Sequence, residues 1–448
     1  MLQIAMLLFG AQFVKSKILY LLGFTSLWGA TGILIFIDGL DGKIFDTFSY
    51  FLLLESLTTL IVAPNGFGLQ RNILFFKGGI FLFGAISALV NIKFSNILLS
   101  ITFGLTYFSV GFFNIASAWV VRFSHWKRAI IWGGIQILYS LFLLQNYDYV
   151  ISYFLGFIMI TGSIRSIIVL IKVNSLDNKS AIFQLLNNSE QEYIAITNNA
   201  FSTNSIEDRN NIQPLTVHIW TPIGSAASPH VPRPIINRYI AATDINGVIS
   251  TGHAALELGS ELYISLYPSE DIDRSPSEFI RTLKATPENN VLGRYLPDYK
   301  TEALEWCESN IKIEFTQYNA LTLKQFWYHC YKKPIYNLTS NNCSSNTAYA
   351  LEAALDGVLN KDNSSMCTFL KLMCSPELWI AAQIRHRAIM MAWTPGLTMD
   401  YSRTLHAIVH PISIPWYQRS LFRKLPLRRS LKHAITRTQN NLASNFYD

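Results

Sequence analysis

The segment Asn341-Asn342-Cys343-Ser344-Ser345 stands directly before an Ala/Leu-rich run, residues 346–359, whose composition predicts a helix. At a helix N-terminus, free backbone N–H groups and the positive end of the helix dipole stabilise a thiolate, and the same groups can hold an oxyanion. Cys343 is therefore a candidate nucleophile, with Asn342 and Ser344 flanking it as oxyanion-side residues. A thiol nucleophile needs a base. His253 is the candidate, in Gly252-His253-Ala254-Ala255-Leu256-Glu257-Leu258.

That stretch runs through Gly259-Ser260 into Glu261-Leu262-Tyr263-Ile264-Ser265-Leu266-Tyr267-Pro268, which reads as a hairpin. Ala254, Leu256 and Leu258 alternate on one face, as do Leu262, Ile264 and Leu266, so these should form the buried side of a sheet. His253, Glu257, Tyr263, Ser265 and Tyr267 share the other face. His218, on the strand Leu215–Trp220, is the rival base. His230, in a Pro-rich loop, and His329, on a helix flank, read as surface or packing residues. Cys307, Cys330, Cys367 and Cys374 lack the polar context of Cys343 and read as packing. No Cys/His spacing reads as a metal site, and no cofactor is expected.

A histidine strand followed about ninety residues later by an Asn-Cys helix, with Tyr336-Asn337-Leu338-Thr339 leading into it, resembles the circularly permuted papain-like proteins. These include permuted NlpC-type peptidases, lecithin:retinol acyltransferase-like thiol acyltransferases, and a bacterial membrane-associated group. The resemblance covers roughly residues 214–359 and implies a papain-like fold and thiol chemistry. Those families often place a His, Asn, Gln or Asp on the strand after the histidine to fix the imidazole tautomer. This chain offers Ser265, Tyr267 or Tyr263 there, with Glu257 on the histidine strand itself.

Residues 1–173 are a different object. Apolar runs near 18–37, 48–63, 73–90, 97–121, 129–144 and 151–173 are separated by breaks holding Gly, Asn, Asp, Lys and Arg. Most reach the roughly 17 to 25 residues that cross a hydrocarbon core, so six transmembrane helices are expected. The run 1–14 has no small-residue cleavage site and reads as a short interfacial helix rather than a signal peptide. Starts near Ile18, Ile73 and Ala129 repeat at about fifty-five residues and predict three consecutive helix pairs, with recurring glycines allowing close approach in lipid. This period, with Asn114-Ile115-Ala116-Ser117-Ala118-Trp119 leading through Arg122 and Trp126 into Gly133-Gly134-Ile135, resembles the HdeD-like membrane proteins associated with bacterial acid resistance. That implies a bacterial inner-membrane protein and brings no catalytic residues. Glu55 and Arg165 lie within spans and are expected to pair with each other or with Lys77, as a structural pair ahead of an ion pathway.

Basic residues beside the spans fall mainly on one side: Lys15, Lys17, Arg71, Lys77, Arg122, Lys127, Arg128, Lys172 and Lys179, against Lys43 and Lys93 on the other. By the positive-inside rule, the N-terminus and everything after residue 173 face the cytoplasm. Residues 174–213 are rich in Asn, Ser, Asp and Glu and form a linker with a short helical patch at 182–187. Residues 214–410 form an α+β domain. From 411 to 448 the chain is basic and amphipathic, Arg423, Lys424, Arg428 and Arg429 among its cations, and is expected to lie on anionic inner-leaflet lipids.

A chain of 448 residues, 50% hydrophobic and 15% charged, suits a membrane bundle joined to one such domain. The net charge of +7 is accounted for by loops and tail, so no nucleic-acid partner is invoked. Five cysteines on a cytoplasmic segment argue for free thiols. The expected function is a membrane-anchored cysteine hydrolase or acyltransferase acting on an ester or amide of a membrane-associated or peptide substrate. The alternative is an HdeD-like stress-response protein whose papain-like domain only binds.

Overall fold

The computed structural model describes residues 1–38, 43–65, 69–90, 92–145, 150–176, 181–186, 213–220, 252–270, 272, 281–332, 334–360 and 365–411, with the pairs 224–225, 228–229, 242–243 and 249–250. Seven helices come first: α1 (Leu2–Ser16), α2 (Ile18–Asp38), α3 (Lys43–Val62), α4 (Leu69–Val90), α5 (Ile92–Val121), α6 (Trp126–Gln145) and α7 (Val150–Ser175). Among the described residues four stretches are long and apolar enough to cross a membrane, Ile18–Ile37, Ser100–Val121, Trp126–Gln145 and Ser152–Ser175. They mark the chain as a membrane protein. In α3 and α4 the apolar stretches are shorter, Tyr50–Ile61 and Leu74–Ile86. Leu19, Phe76, Phe113 and Leu138 are 80%, 71%, 67% and 69% exposed on the outside of this bundle, the reverse of a water-soluble surface.

The helices do not pair in the consecutive order that the repeat suggests. α3 pairs with α4, α5 with α6, and the first and last spans, α2 and α7, with each other. Glycine placement explains the shift. A Cβ on Gly156 would lie 2.7 Å from the Gly32 carbonyl oxygen, one on Gly111 2.8 Å from the Gly133 oxygen, and one on Gly78 2.7 Å from Leu60. Backbone therefore meets backbone closely between α2 and α7 and between α5 and α6, while Gly78 of α4 makes room for the Leu60 side chain of α3. Ser163 Oγ donates to the Thr25 carbonyl at 2.7 Å across the α2–α7 seam, and Ser100 Oγ to that of Leu143 at 2.6 Å near the α5–α6 seam.

After the short α8 (Ile182–Leu186) come, among the described residues, eleven strands: β1 (Leu215–Trp220), β2 (Gly224–Ser225), β3 (Ser228–Pro229), β4 (Ala242–Thr243), β5 (Ile249–Ser250), β6 (His253–Leu258), β7 (Leu262–Ile264), β8 (Leu266–Pro268), β9 (Val291–Tyr295), β10 (Ile311–Phe315) and β11 (Ile335–Tyr336). Interspersed or following are α9 (Tyr299–Glu305), α10 (Ala320–Lys332), α11 (Cys343–Ala354), α12 (Met366–Met373), α13 (Pro376–Met390) and α14 (Pro395–Val409). The main sheet is antiparallel in the order β10-β1-β6-β7, and a second sheet runs β11-β9-β8. Val217, Ile219, Ala254, Leu256, Leu258 and Ile264 face one buried core, against which α11 packs. The opposite face of β1 and β6 is covered too: Trp220, His218, Ala255 and His253 are all buried. The α11 helix is tied to its neighbours by buried Glu352, which accepts from Arg385 Nε of α13 at 2.7 Å and from Tyr401 of α14 at 2.8 Å.

The α1 helix belongs to this same core, not to a membrane surface. Ile4 to Phe9 are buried on every side, as are Phe13 and Val14, and a helix that is apolar all round needs a protein interior rather than an interface. Phe9 and Phe13 pack on Phe369 of α12, with ring centres 5.3 and 5.7 Å apart. The Leu7 and Leu8 carbonyls accept the Gly357 and Leu359 amides at 2.9 and 2.8 Å. The kink that frees those carbonyls is at Gly10, φ 77° and ψ 166°, a backbone region open to glycine.

Candidate active site

Strand β6 delivers His253 and helix α11 delivers Cys343, its first residue. The helix starts there because Asn342 caps it: Asn342 Oδ1 accepts from the Ser345 amide at 2.8 Å, and Ser345 Oγ accepts from the Asn342 amide at 2.8 Å. Asn342 Nδ2 donates to the Leu338 and Trp393 carbonyls at 2.8 and 2.9 Å. Its side chain is thus fully engaged in fixing the helix mouth, and it is not an oxyanion donor. Ser344 is buried, with its hydroxyl 3.8 Å from the Cys343 sulfur. With Ser345 and Asn346 bonded back to Asn342, the amides of Cys343 and Ser344 remain as the donors at the helix end.

The His253 imidazole and the Cys343 thiol line the same cavity, near enough for the charge of each to act on the other. His253 Nε2 lies 2.8 Å from Ser265 Oγ and 3.2 Å from Glu302 Oε1, which leaves Nδ1 for the thiol. Glu302, on α9, is only 1% exposed and gathers three hydroxyls: Ser265 Oγ donates to it at 2.8 Å, Tyr267 at 2.7 Å, and Tyr263 also donates. A buried carboxylate with these donors and an imidazole is fully satisfied. The order is thiol, imidazole, carboxylate. The Tyr267 ring stacks on the imidazole at 4.3 Å, and Trp220 and Trp306 approach it at 5.4 and 6.5 Å.

Charge reinforces the arrangement. Burial alone would raise the Cys343 thiol, but the His253 charge and hydrogen bond, the Ala254 amide and the Ser344 hydroxyl together hold it below the ordinary value. Burial alone would lower His253, yet the Cys343 sulfur and then Glu302 bring it above the ordinary histidine value. The two directions agree, and both favour a thiolate–imidazolium pair. By contrast, burial pushes the Cys330 thiol up to about 12 and raises Cys307. Burial and Glu302 also raise Tyr263 and Tyr267, so both stay protonated and donate. All five cysteines are free, and Cys343 opens onto a cavity of about 340 Å³ walled by Tyr267, Arg294, Glu305, Trp306 and Tyr336.

Glu302 is the residue that strand reasoning missed. It lies on a helix that buries a carboxylate and leaves Leu304 79% exposed, so hydrophobic periodicity hides it. The available signal was the row Tyr263, Ser265, Tyr267: three hydroxyls on one side of a chain segment require an acceptor. Ser265 and Tyr267 do sit by the histidine, but as donors to Glu302. Glu257 does not reach His253. Four residues along a strand separate them by about 13 Å, and Glu257 instead holds His218 Nε2 at 2.8 Å. His218, bonded also to Ser309 at 3.0 Å and stacked on Tyr299 at 4.1 Å, belongs to that neighbouring cluster and not to the thiol.

Within the bundle, Glu55 pairs with Lys77 at 2.6 Å, while Arg165 lies over the Trp132 ring at 4.6 Å. Arg423, Lys424, Arg428 and Arg429 lie outside the described residues, as do His230 and most of the linker. Among the described residues no group of His, Cys, Asp and Glu could hold a metal ion.

No family model, curated protein or solved structure matches the chain. The two resemblances therefore rest on the residues quoted for them, and the chemistry rests on the geometry just described.

Proposed function

We propose that this chain is a membrane-anchored cysteine-dependent hydrolase or acyltransferase, with a permuted papain-like domain carried on a six-span HdeD-like bundle. The observation that carries the reading is His253 sharing a cavity with Cys343 and backed on its other nitrogen by buried Glu302. His253 Nδ1 takes the thiol proton, and the thiolate attacks the carbonyl carbon of an ester or amide. The Cys343 and Ser344 amides steady the oxyanion. The C–O or C–N bond breaks, the leaving alcohol or amine takes the proton from His253, and a thioester remains. Water, or an acceptor hydroxyl or amine, then attacks the thioester and releases the thiolate. Glu302 orients the ring and stabilises the imidazolium throughout.

The want of a partner to orient His253 would favour the non-catalytic binding module, and buried Glu302 beside Nε2 supports the catalytic reading instead. The HdeD-like resemblance supports a bacterial inner membrane, and the bias of basic residues supports an α+β domain on the cytoplasmic side, where thiols stay reduced. Iodoacetamide labelling of the full chain in detergent tests the reading. Cys343 is expected to label faster than exposed Cys367 and Cys374, and His253→Ala to abolish that advantage. Equal labelling of Cys343 and the exposed thiols would leave only the binding module.

A further inference from the structure

A second cavity, of about 560 Å³, opens between α5, α6 and α7 of the bundle and is closed by His386 and Met390 of α13. Arg128, His125, Arg165, His386, Asn114 and Gln136 line it, and among the described residues that line it there is no carboxylate. Arg165 is the unusual member. A guanidinium within a span is costly unless it faces an anion or water. The intramembrane acid Glu55 is engaged by Lys77, and among the described residues no carboxylate pairs with Arg165. Its contact is with the face of Trp132, which leaves the N–H edge of the guanidinium for another partner. Burial, then the Arg165 charge, holds His386 below the ordinary histidine value, so near neutral pH the guanidinium groups dominate the charge here.

The surroundings select the source of the anion. Phe113, Ile135 and Ile164, sequence neighbours of Asn114, Gln136 and Arg165, are 67%, 41% and 53% exposed on the outer face of the bundle. Such flanks suit acyl chains and offer nothing to a free water-borne ion. We propose that this cavity binds the phosphate of one anionic phospholipid, gripped by Arg128 and Arg165 with the acyl chains lying along those apolar faces. The site is separate from the thiol chemistry.

The test is native mass spectrometry of the full chain taken from nanodiscs of phosphatidylglycerol and phosphatidylcholine. One phosphatidylglycerol is expected to remain bound, with at least about tenfold weaker retention in Arg165→Gln and in Arg128→Gln, near-normal retention in Arg165→Lys, and no change in Cys343→Ala. The lysine variant shows that loss of lipid in the glutamine variant follows charge rather than misfolding. Equal retention of the two lipids, or undiminished phosphatidylglycerol in both glutamine variants, would overturn the proposal. Displacement of the lipid by millimolar inorganic phosphate would assign the site to a free anion and overturn the lipid.

Discussion

Replacing Glu302 with glutamine removes a negative charge 3.2 Å from His253 Nε2 while keeping the size and one acceptor oxygen of the side chain. At an effective dielectric of about 20, the bare Coulomb attraction over that distance is about 5 kcal/mol. Ser265 stays within 2.8 Å of the ring and the glutamine oxygen still accepts, so the net loss should be that of one charged hydrogen bond, about 1.5–3 kcal/mol. That corresponds to about one to two pH units and about ten- to hundredfold. The sign follows from the pair. Glu302 raises His253, and the charged His253 lowers Cys343, so losing Glu302 moves the onset of thiolate formation to higher pH. The assay is the second-order rate of iodoacetamide alkylation at Cys343 from pH 5 to 9. The variant should react about ten- to hundredfold more slowly near pH 7, with an inflection about one to two units higher and unchanged rates at Cys367 and Cys374. A profile in the folded variant that superimposes on that of the parent would refute the role given to Glu302.

Two further predictions concern the interior. Asp356, raised to about 7 by burial despite accepting the Phe183 and Ile182 amides, binds its proton more tightly folded than unfolded. Stability should therefore fall as pH rises from about 4 to about 7, and Asp356→Asn should recover up to about 4 kcal/mol at pH 8 while flattening the melting temperature against pH; parallel curves for the two proteins would contradict this. Gly10→Val places a Cβ 2.9 Å from the Gly357 Cα on a backbone with φ +77°. It should cost about 2 kcal/mol or more, read as lost hydrogen-exchange protection at the Gly357 and Leu359 amides, and unchanged protection would show that α1 is not held there.

Alternation along Ala254, Leu256 and Leu258 was enough to predict a hairpin, and β6 pairs with β7 in that register, Leu256 opposite Ile264 and Leu258 opposite Leu262. The polar segment before Cys343 likewise marks a helix start, because a cap is a local signal. What stayed hidden is what local patterns do not encode. Glu302 is specified by hydroxyls some 35 to 39 residues away in sequence, on a helix whose periodicity points the wrong way. Strand β10 was legible and passed over, since Ile311, Ile313 and Phe315 alternate with Lys312 and Glu314, whereas β9, with Gly293 at its centre and Leu292 exposed, carries little apolar signal. The apolar runs located the helices, four of them long and apolar enough to cross a membrane among the described residues, but their partners depend on which glycines meet.

The burial of α1 has a consequence for how this protein can be made and dissected. Residues 4–14 complete an interior shared with Leu170, Val173 and Phe183 and otherwise built from residues 215–409, so this segment must wait for much later ones before that interior closes. A fragment trimmed to residues 214–411 would expose the Phe369 surface on which Phe9 and Phe13 sit, and should aggregate where the intact chain does not. Adding the α1 segment back as a separate peptide is the direct way to rescue it.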